Sequence, residues 1–120
     1  ASENISFFGK LHGILFSPKE ISRRLTEMGL KGRGDDALKS FSSGMKQRMK
    51  YIIAMMHEPA ALFLDEPASN LDDAGIAIVD EICEKQKKRG ILTIATNDKR
   101  DLKYGEKRIE LSVDGLGDTD

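Results

Sequence analysis

The sequence predicts an α/β chain in two parts. Residues 1–58 form a helical part, and residues 59–120 form a mostly parallel β-sheet with flanking helices. Three observations carry this. Apolar residues recur at spacings of three and four through the first part. Two short apolar runs, "ALFL" (61–64) and "ILTIAT" (91–96), bracket an amphipathic stretch in the second and read as buried parallel strands. Helix start and stop signals fall where these patterns begin and end.

Ser2 is a cap for a first helix whose apolar face is Ile5, Phe8 and Leu11, with Phe7 beside them; "GILF" closes it. In "SPKE", Ser17 caps a second helix, Pro18 takes its first position and Glu20 completes a capping box. Ile21, Leu25 and Met28 give that helix one apolar face, and Gly29 is a stop signal before the turn-rich "KGRGDD". A third helix starts at Ser42 or Ser43 and runs to about His57. Met45, Met49, Ile52, Ile53 and Met56 line its apolar side, and Lys46, Arg48 and Lys50 lie on the other. Pro59 ends it, because the residue before a proline is pushed out of the helical region.

Between the two strands, a helix from about Asp73 to Arg89 turns Ile76, Val79, Ile82 and Cys83 inward. Asp72 or Asp73 sits at its start, Lys85, Lys87, Lys88 and Arg89 at its end, and Gly90 just past it. Each end carries the charge that the helix dipole favours, so the basic cluster reads as a solvated helix end. The strand–helix–strand unit is expected to be right-handed. "RIELSV" (108–113) alternates Ile109, Leu111 and Val113 with polar residues, the pattern of a half-buried edge strand, and "DGLGDTD" reads as a frayed tail.

Composition narrows the function classes. Nineteen basic residues against twenty acidic ones leave a net charge of -1, so no nucleic-acid partner is expected from bulk charge. The single cysteine, Cys83, rules out an internal disulfide. No apolar run approaches the roughly 18–20 residues of a bilayer-spanning helix, and "ASENISFFGK" lacks the basic start of a secretory leader. The first residue is Ala, not Met, which fits a chain cut from something longer.

The chemistry concentrates in "FLDEP" (63–67). Asp65 and Glu66 stand where an apolar strand ends, the end at which open α/β sheets bind ligands. Asp65 there can hold Mg²⁺, which bridges to phosphate oxygens. Glu66, in the following turn, can orient or deprotonate a water attacking phosphate. Alone, the pair reads equally as two acids leaving a strand for solvent. Upstream, "FSSGMKQR" (41–48) places Ser42, Ser43 and Gly44 at a helix start, where free N–H groups favour an anion; an ordinary helix cap is the alternative. Asn97, following the second strand, either hydrogen-bonds a ligand or simply opens the turn "NDKRD".

Together, "FSSGMKQR" and "LFLDEPASNLD" resemble the ATP-binding-cassette (ABC) ATPase family, and "ENISFFGKLHGI" resembles the helical subdomain of its transporter members. The resemblance covers roughly residues 1 to 112. It implies part of a P-loop NTPase fold, an ATPase activity, and ATP and Mg²⁺ as cofactors. Against the family signature LSGGQ-x-x-R, Phe41 stands first, Ser42, Gly44 and Arg48 match, and Ser43 and Met45 depart. Asp65 matches the Walker B aspartate, Glu66 the catalytic glutamate, and Ser69, Asn70, Leu71 and Asp72 the D-loop. Asn97 stands where the family usually has a histidine that contacts the γ-phosphate.

By the same resemblance, Ser42, Ser43, Gly44 and Met45 act in trans, on ATP held by a second ATPase subunit. Transmembrane permease subunits are the implied partners, and the cytoplasmic face of a membrane the implied location. No G-x-x-x-x-G-K-[ST] phosphate cradle occurs, and the family's glutamine loop is also missing, so the chain reads as the C-terminal portion of a nucleotide-binding domain. It is expected to bind ATP weakly or not at all by itself. Its sheet is expected to keep an unpaired edge beside the Walker B strand and to self-associate. Two other readings are a DNA-repair or chromosome-maintenance ATPase, against which Met45 and "ENISFFGKLHG" argue, and a non-catalytic docking module, favoured by Asn97 and the absent cradle.

Overall fold

The computed structural model describes residues 1–111. Three helices, α1 (Ser2–Leu11), α2 (Pro18–Glu27) and α3 (Ser43–Met55), precede β1 (Ala61–Asp65), α4 (Asp73–Arg89) and β2 (Ile91–Ala95). Short 3-10 turns occupy Leu38–Ser40 and Lys99–Tyr104. The chain is elongated, 57 × 30 × 25 Å, because it holds two cores. Ile5, Ile21, Leu25, Leu30, Phe41, Met49, Ile52 and Met56 form the helical core. Tyr51, Leu62, Leu64, Val79, Ile82, Cys83 and Tyr104 form the second. α3 serves both, since Met49 and Ile52 face one core and Tyr51 the other.

Local chemistry sets most element ends. The Ser17 side chain accepts from the Glu20 N–H while Glu20 accepts from the Ser17 N–H, the reciprocal box expected at the start of α2. α2 ends on Gly29 at φ +66, and the Leu30 N–H reaches back to the Leu25 carbonyl at 2.7 Å, a Schellman closure. Asp72 caps α4 by accepting from the Gly75 N–H at 2.8 Å. At α1 the expected cap is displaced. Ala1 holds the cap position and Ser2 is already helical. The face anticipated for α1 is also only partly buried: Ile5 is in the core and Phe8 packs against it, but Leu11 is exposed. The chain turns back after His12 and packs Phe16 against Gly9, which leaves Leu11 on the uncovered side of the last turn.

β1 and β2 pair in parallel, from Ala61 opposite Ile91 to Asp65 opposite Ala95, and α4 makes the crossover between them. The expectation of strands buried on both faces is corrected. α4 covers Leu62 and Leu64, whereas Phe63 is 73% exposed and Ile91 63% exposed on the other face. Among the described residues nothing covers that face, and each strand has one neighbour only. An apolar face beside unpaired strand edges drives association. Light scattering at high concentration is therefore expected to show oligomers, and Phe63→Lys to shift them toward monomer; a monomeric wild type at all concentrations would count against this.

The edge strand expected at 108–113 does not form in its described part. Arg108–Leu111 have no strand partner, and Ile109 and Leu111 are 86% and 94% exposed. Alternation alone does not make a strand without an edge to pair with. Ser112, Val113 and the expected tail lie outside the described residues. Among the described residues no helix is long and apolar enough to cross a membrane.

Cys83 sits at the centre of the second core. Burial, reinforced by Asp80, Asp101 and Glu84, pushes its thiol up from 9.0 to about 11. The fold thus favours the protonated form. The stability this contributes, on the order of 2 kcal/mol, is complete below pH 9 and lost as pH rises toward 11. Burial raises the Tyr51 and Tyr104 phenols as well, so the loss continues above pH 10. The urea midpoint is expected to fall over pH 9–11, less steeply in Cys83→Ala, and Cys83 to resist thiol reagents at pH 7.5 until the chain unfolds. Rapid labelling of the native chain would contradict this placement.

Candidate functional site

Asp65 is the last residue of β1, exposed, opposite Ala95 at the end of β2. Glu66 leaves the strand at φ +46, a left-handed conformation rare for a glutamate. Two hydrogen bonds hold that bend: the Glu66 N–H donates to the Ala95 carbonyl at 2.8 Å, and the Ser69 N–H donates back to the Glu66 carbonyl at 3.0 Å. Backbone held this way costs about 1–3 kcal/mol and tends to mark working sites.

The Glu66 carboxylate turns toward the segment after β2. Its Oε1 accepts from the Asn97 N–H at 2.8 Å, and the Thr96 hydroxyl lies 3.1 Å from its Oε2. The same hydroxyl is 2.8 Å from Oδ2 of Asp101 and accepts from the Asp98 N–H at 2.9 Å. Asn97 thus meets Glu66 through its main chain, and its exposed side-chain amide makes no hydrogen bond among the described residues. Thr96 and Asp101 went unnoticed in the sequence. A hydroxyl directly before Asn97 and an acid four residues after it were the available signals.

Within this chain the Ser42–Gly44 turn is a helix start, the arrangement common to a cap and an anion site. The Ser42 hydroxyl caps α3, accepting from the Met45 N–H at 3.2 Å. Ser43 is exposed in the first turn of α3, and Met45 packs against the helical core. Gly44 is buried, and a Cβ there would stand 2.9 Å from the Asn70 carbonyl oxygen. Close approach is indeed what the glycine permits, but the approaching backbone belongs to this chain's own loop 66–72.

That contact is the first of three between α3 and the loop. Arg48, placed by its pattern on the side opposite the apolar stripe, is 14% exposed and pairs with Asp72 at 3.2 Å. The Tyr51 hydroxyl donates to the buried Pro67 carbonyl at 2.7 Å, and Gln47 donates to that hydroxyl at 3.3 Å. Gly44, Arg48 and Tyr51 follow at spacings of four and three, one stripe of a helix. The stripe grips Asn70, Asp72 and Pro67. Asn70 takes φ +59, tolerable for asparagine, while its side chain donates to the Ser69 hydroxyl and Leu71 packs into the second core. The structure therefore joins the helix start, the loop and the Asp65–Glu66 pair into one unit. It joins Asn97 to that unit through Glu66.

A magnesium ion asks for near-octahedral oxygens, commonly one or two carboxylates with phosphate oxygens and water completing the shell. Among the described residues no group of three acidic, histidine or cysteine side chains converges. Asp65 is exposed and takes part in none of the described ion pairs, so the donor set fits one ligand to a phosphate-borne ion and not a cage made by the protein.

A family model described as ABC transporter matches residues 3–69. The chain is 32% identical over 99 residues to the linearmycin resistance ATP-binding protein LnrL of Bacillus subtilis, covering 81% of this chain and 32% of that protein. It is 36% identical over 83 residues to the bacitracin transport ATP-binding protein BcrA of Enterococcus faecalis, with 69% and 27% covered. The phosphate import ATP-binding protein PstB 2 of Natronomonas pharaonis is 30% identical over 98 residues, with 81% and 34% covered. The chain thus spans about a third of the length of these three relatives.

Proposed function

This chain belongs to the ABC transporter family, and from that premise we propose that it is the C-terminal portion of the subunit that binds and hydrolyses ATP to drive transport across a membrane. The observation that carries the reading is the grip of α3 on the loop that follows Glu66. A helix start fit for phosphate is thereby tied mechanically to the pair of acids at the sheet's carboxyl end, so that a site reached across a subunit pair and the site of these acids are coupled.

In this proposal residues 1–58 are the helical subdomain that docks on transmembrane permease subunits, and residues 59–120 are part of the ATPase core. Ser42, Ser43, Gly44 and Met45 cover the phosphates of ATP held by a second ATPase subunit, the helix N-terminus supplying N–H donors. Asp65 is the protein's ligand to Mg²⁺, which neutralises charge on the phosphates when bound. Glu66 orients the attacking water. Ser69, Asn70, Leu71 and Asp72 carry the state of one site to the other, and Asn97 can donate a hydrogen bond to phosphate without titrating. The unit works at the cytoplasmic face of the membrane, and this polypeptide alone is inactive, since its sequence contains no phosphate cradle.

A docking module without hydrolysis is the second reading, favoured by the Asn97 N–H and the Thr96 hydroxyl that stand against the two Glu66 carboxylate oxygens. Mg-ATP turnover by the intact subunit carrying this segment separates the two, comparing wild type with Glu66→Gln. Lost turnover with retained ATP binding supports the enzyme. Turnover indifferent to the substitution overturns it in favour of docking.

A further inference from the structure

We propose that Asp101 is a positioning residue for Glu66, acting through the Thr96 hydroxyl; this rests on the reading of Glu66 as the residue that orients water. The hydroxyl stands between two carboxylates, 3.1 Å from Glu66 Oε2 and 2.8 Å from Asp101 Oδ2. It has one proton to give. Its oxygen already accepts from the Asp98 N–H. The two carboxylates therefore compete for a single donor.

The competitors are unequal. Asp101 is 2% exposed, its Oδ1 has no partner among the described residues, and the Thr96 hydroxyl is the only described side-chain donor to its Oδ2. No described cation pairs with it: Arg100 is turned to Asp98, and Lys103 to Asp80. A buried carboxylate left without donors is costly, so Asp101 draws the hydroxyl proton strongly. Glu66, by contrast, keeps the Asn97 N–H on Oε1 whichever way the hydroxyl points.

Two arrangements follow. With the proton on the Glu66 side, both glutamate oxygens are engaged and the carboxylate is parked against residues 96–97. With the proton on the Asp101 side, Glu66 is held by one N–H alone, and Oε2 is free to take a water. Asp101 thus sets how loosely Glu66 is held without touching any reacting atom.

The test uses amide hydrogen exchange at Asn97 in the 120-residue chain, because that N–H binds Glu66 directly. Asp101→Asn substitutes a neutral, weaker acceptor and leaves the proton to Glu66. Exchange at Asn97 is expected to slow about two- to tenfold, the factor carried by one net hydrogen bond. Asp101→Leu, which removes the acceptor and suits a buried site, is expected to slow it likewise. Thr96→Val removes the donor and is expected to speed exchange by a similar factor, and Thr96→Ser to restore wild-type behaviour. A merely structural role predicts that the Asp101 and Thr96→Val variants all speed exchange together; that result, or no change, overturns the proposal. Failure of the ATPase reading shows separately, as turnover indifferent to Glu66→Gln, since the exchange measurement involves no nucleotide.

Discussion

Glu66→Gln in the intact subunit is expected to lower Mg-ATP turnover about 10²- to 10⁴-fold, the range typical of removing a positioned general base, with ATP affinity nearly unchanged. The amide is isosteric but cannot take a proton from water. Its structural cost is small for a reason visible in the hydrogen bonds. The amide oxygen can still accept from the Asn97 N–H. The new NH₂ can donate to the Thr96 oxygen, whose own proton then serves Asp101. The loop and its contacts with α3 therefore stay in place, and thermal stability of the 120-residue chain should hold to within a few degrees. A large drop in melting temperature would make Glu66 a structural residue and remove the chemical interpretation.

Gly90→Ala is expected to be the most destabilising single-methyl addition to this chain, at about 3 kcal/mol. Gly90 has φ −169, extended backbone open to any residue, so conformational strain is not the cause. The cause is space. An added Cβ would collide with the Ala60 carbonyl oxygen and stand 3.0 Å from Nε2 of Gln86. That carbonyl accepts from the Ile91 N–H at 2.9 Å as the two strands begin to pair. The fully buried Gln86 side chain donates to the Pro59 and Ile91 carbonyls at 3.0 and 3.2 Å, tying both strand starts to α4. Displacing Ala60 disturbs all three bonds, and the buried Gln86 amide is costly to leave unpaired. Melting temperature should fall by about 10 °C or more, read by circular dichroism. A change below about 1 kcal/mol would mean that the strand starts separate easily.

The site shows which parts of a sequence speak for themselves. The box at Ser17 and Glu20, the left-handed stop at Gly29 and the charged ends of α4 are written within four or five residues of one another. Asp65 and Glu66 were marked by an apolar run ending in two acids, because a strand's end is a local event. The edge strand proposed for 108–113 failed in its described part for the converse reason: alternation states a preference, while pairing needs a neighbour. α3 was half legible. Its methionine and isoleucine stripe gave the helical core, but nothing local showed that Arg48 on the opposite side reaches Asp72.

The sequence by itself determined the helices, the two parallel strands, the crossover and the residue types at the strand end, since these follow from period, caps and charge over short windows. The family resemblance rested on the same short stretches. Only the tertiary structure decided that Gly44 is glycine because of Asn70, that Arg48 meets Asp72 across 24 residues, and that Glu66 is held by the backbone of Asn97 and the hydroxyl of Thr96 about 30 residues away. Such contacts leave no periodic trace. They exist because chain segments far apart in sequence must pair their buried polar groups once folding has removed the water between them.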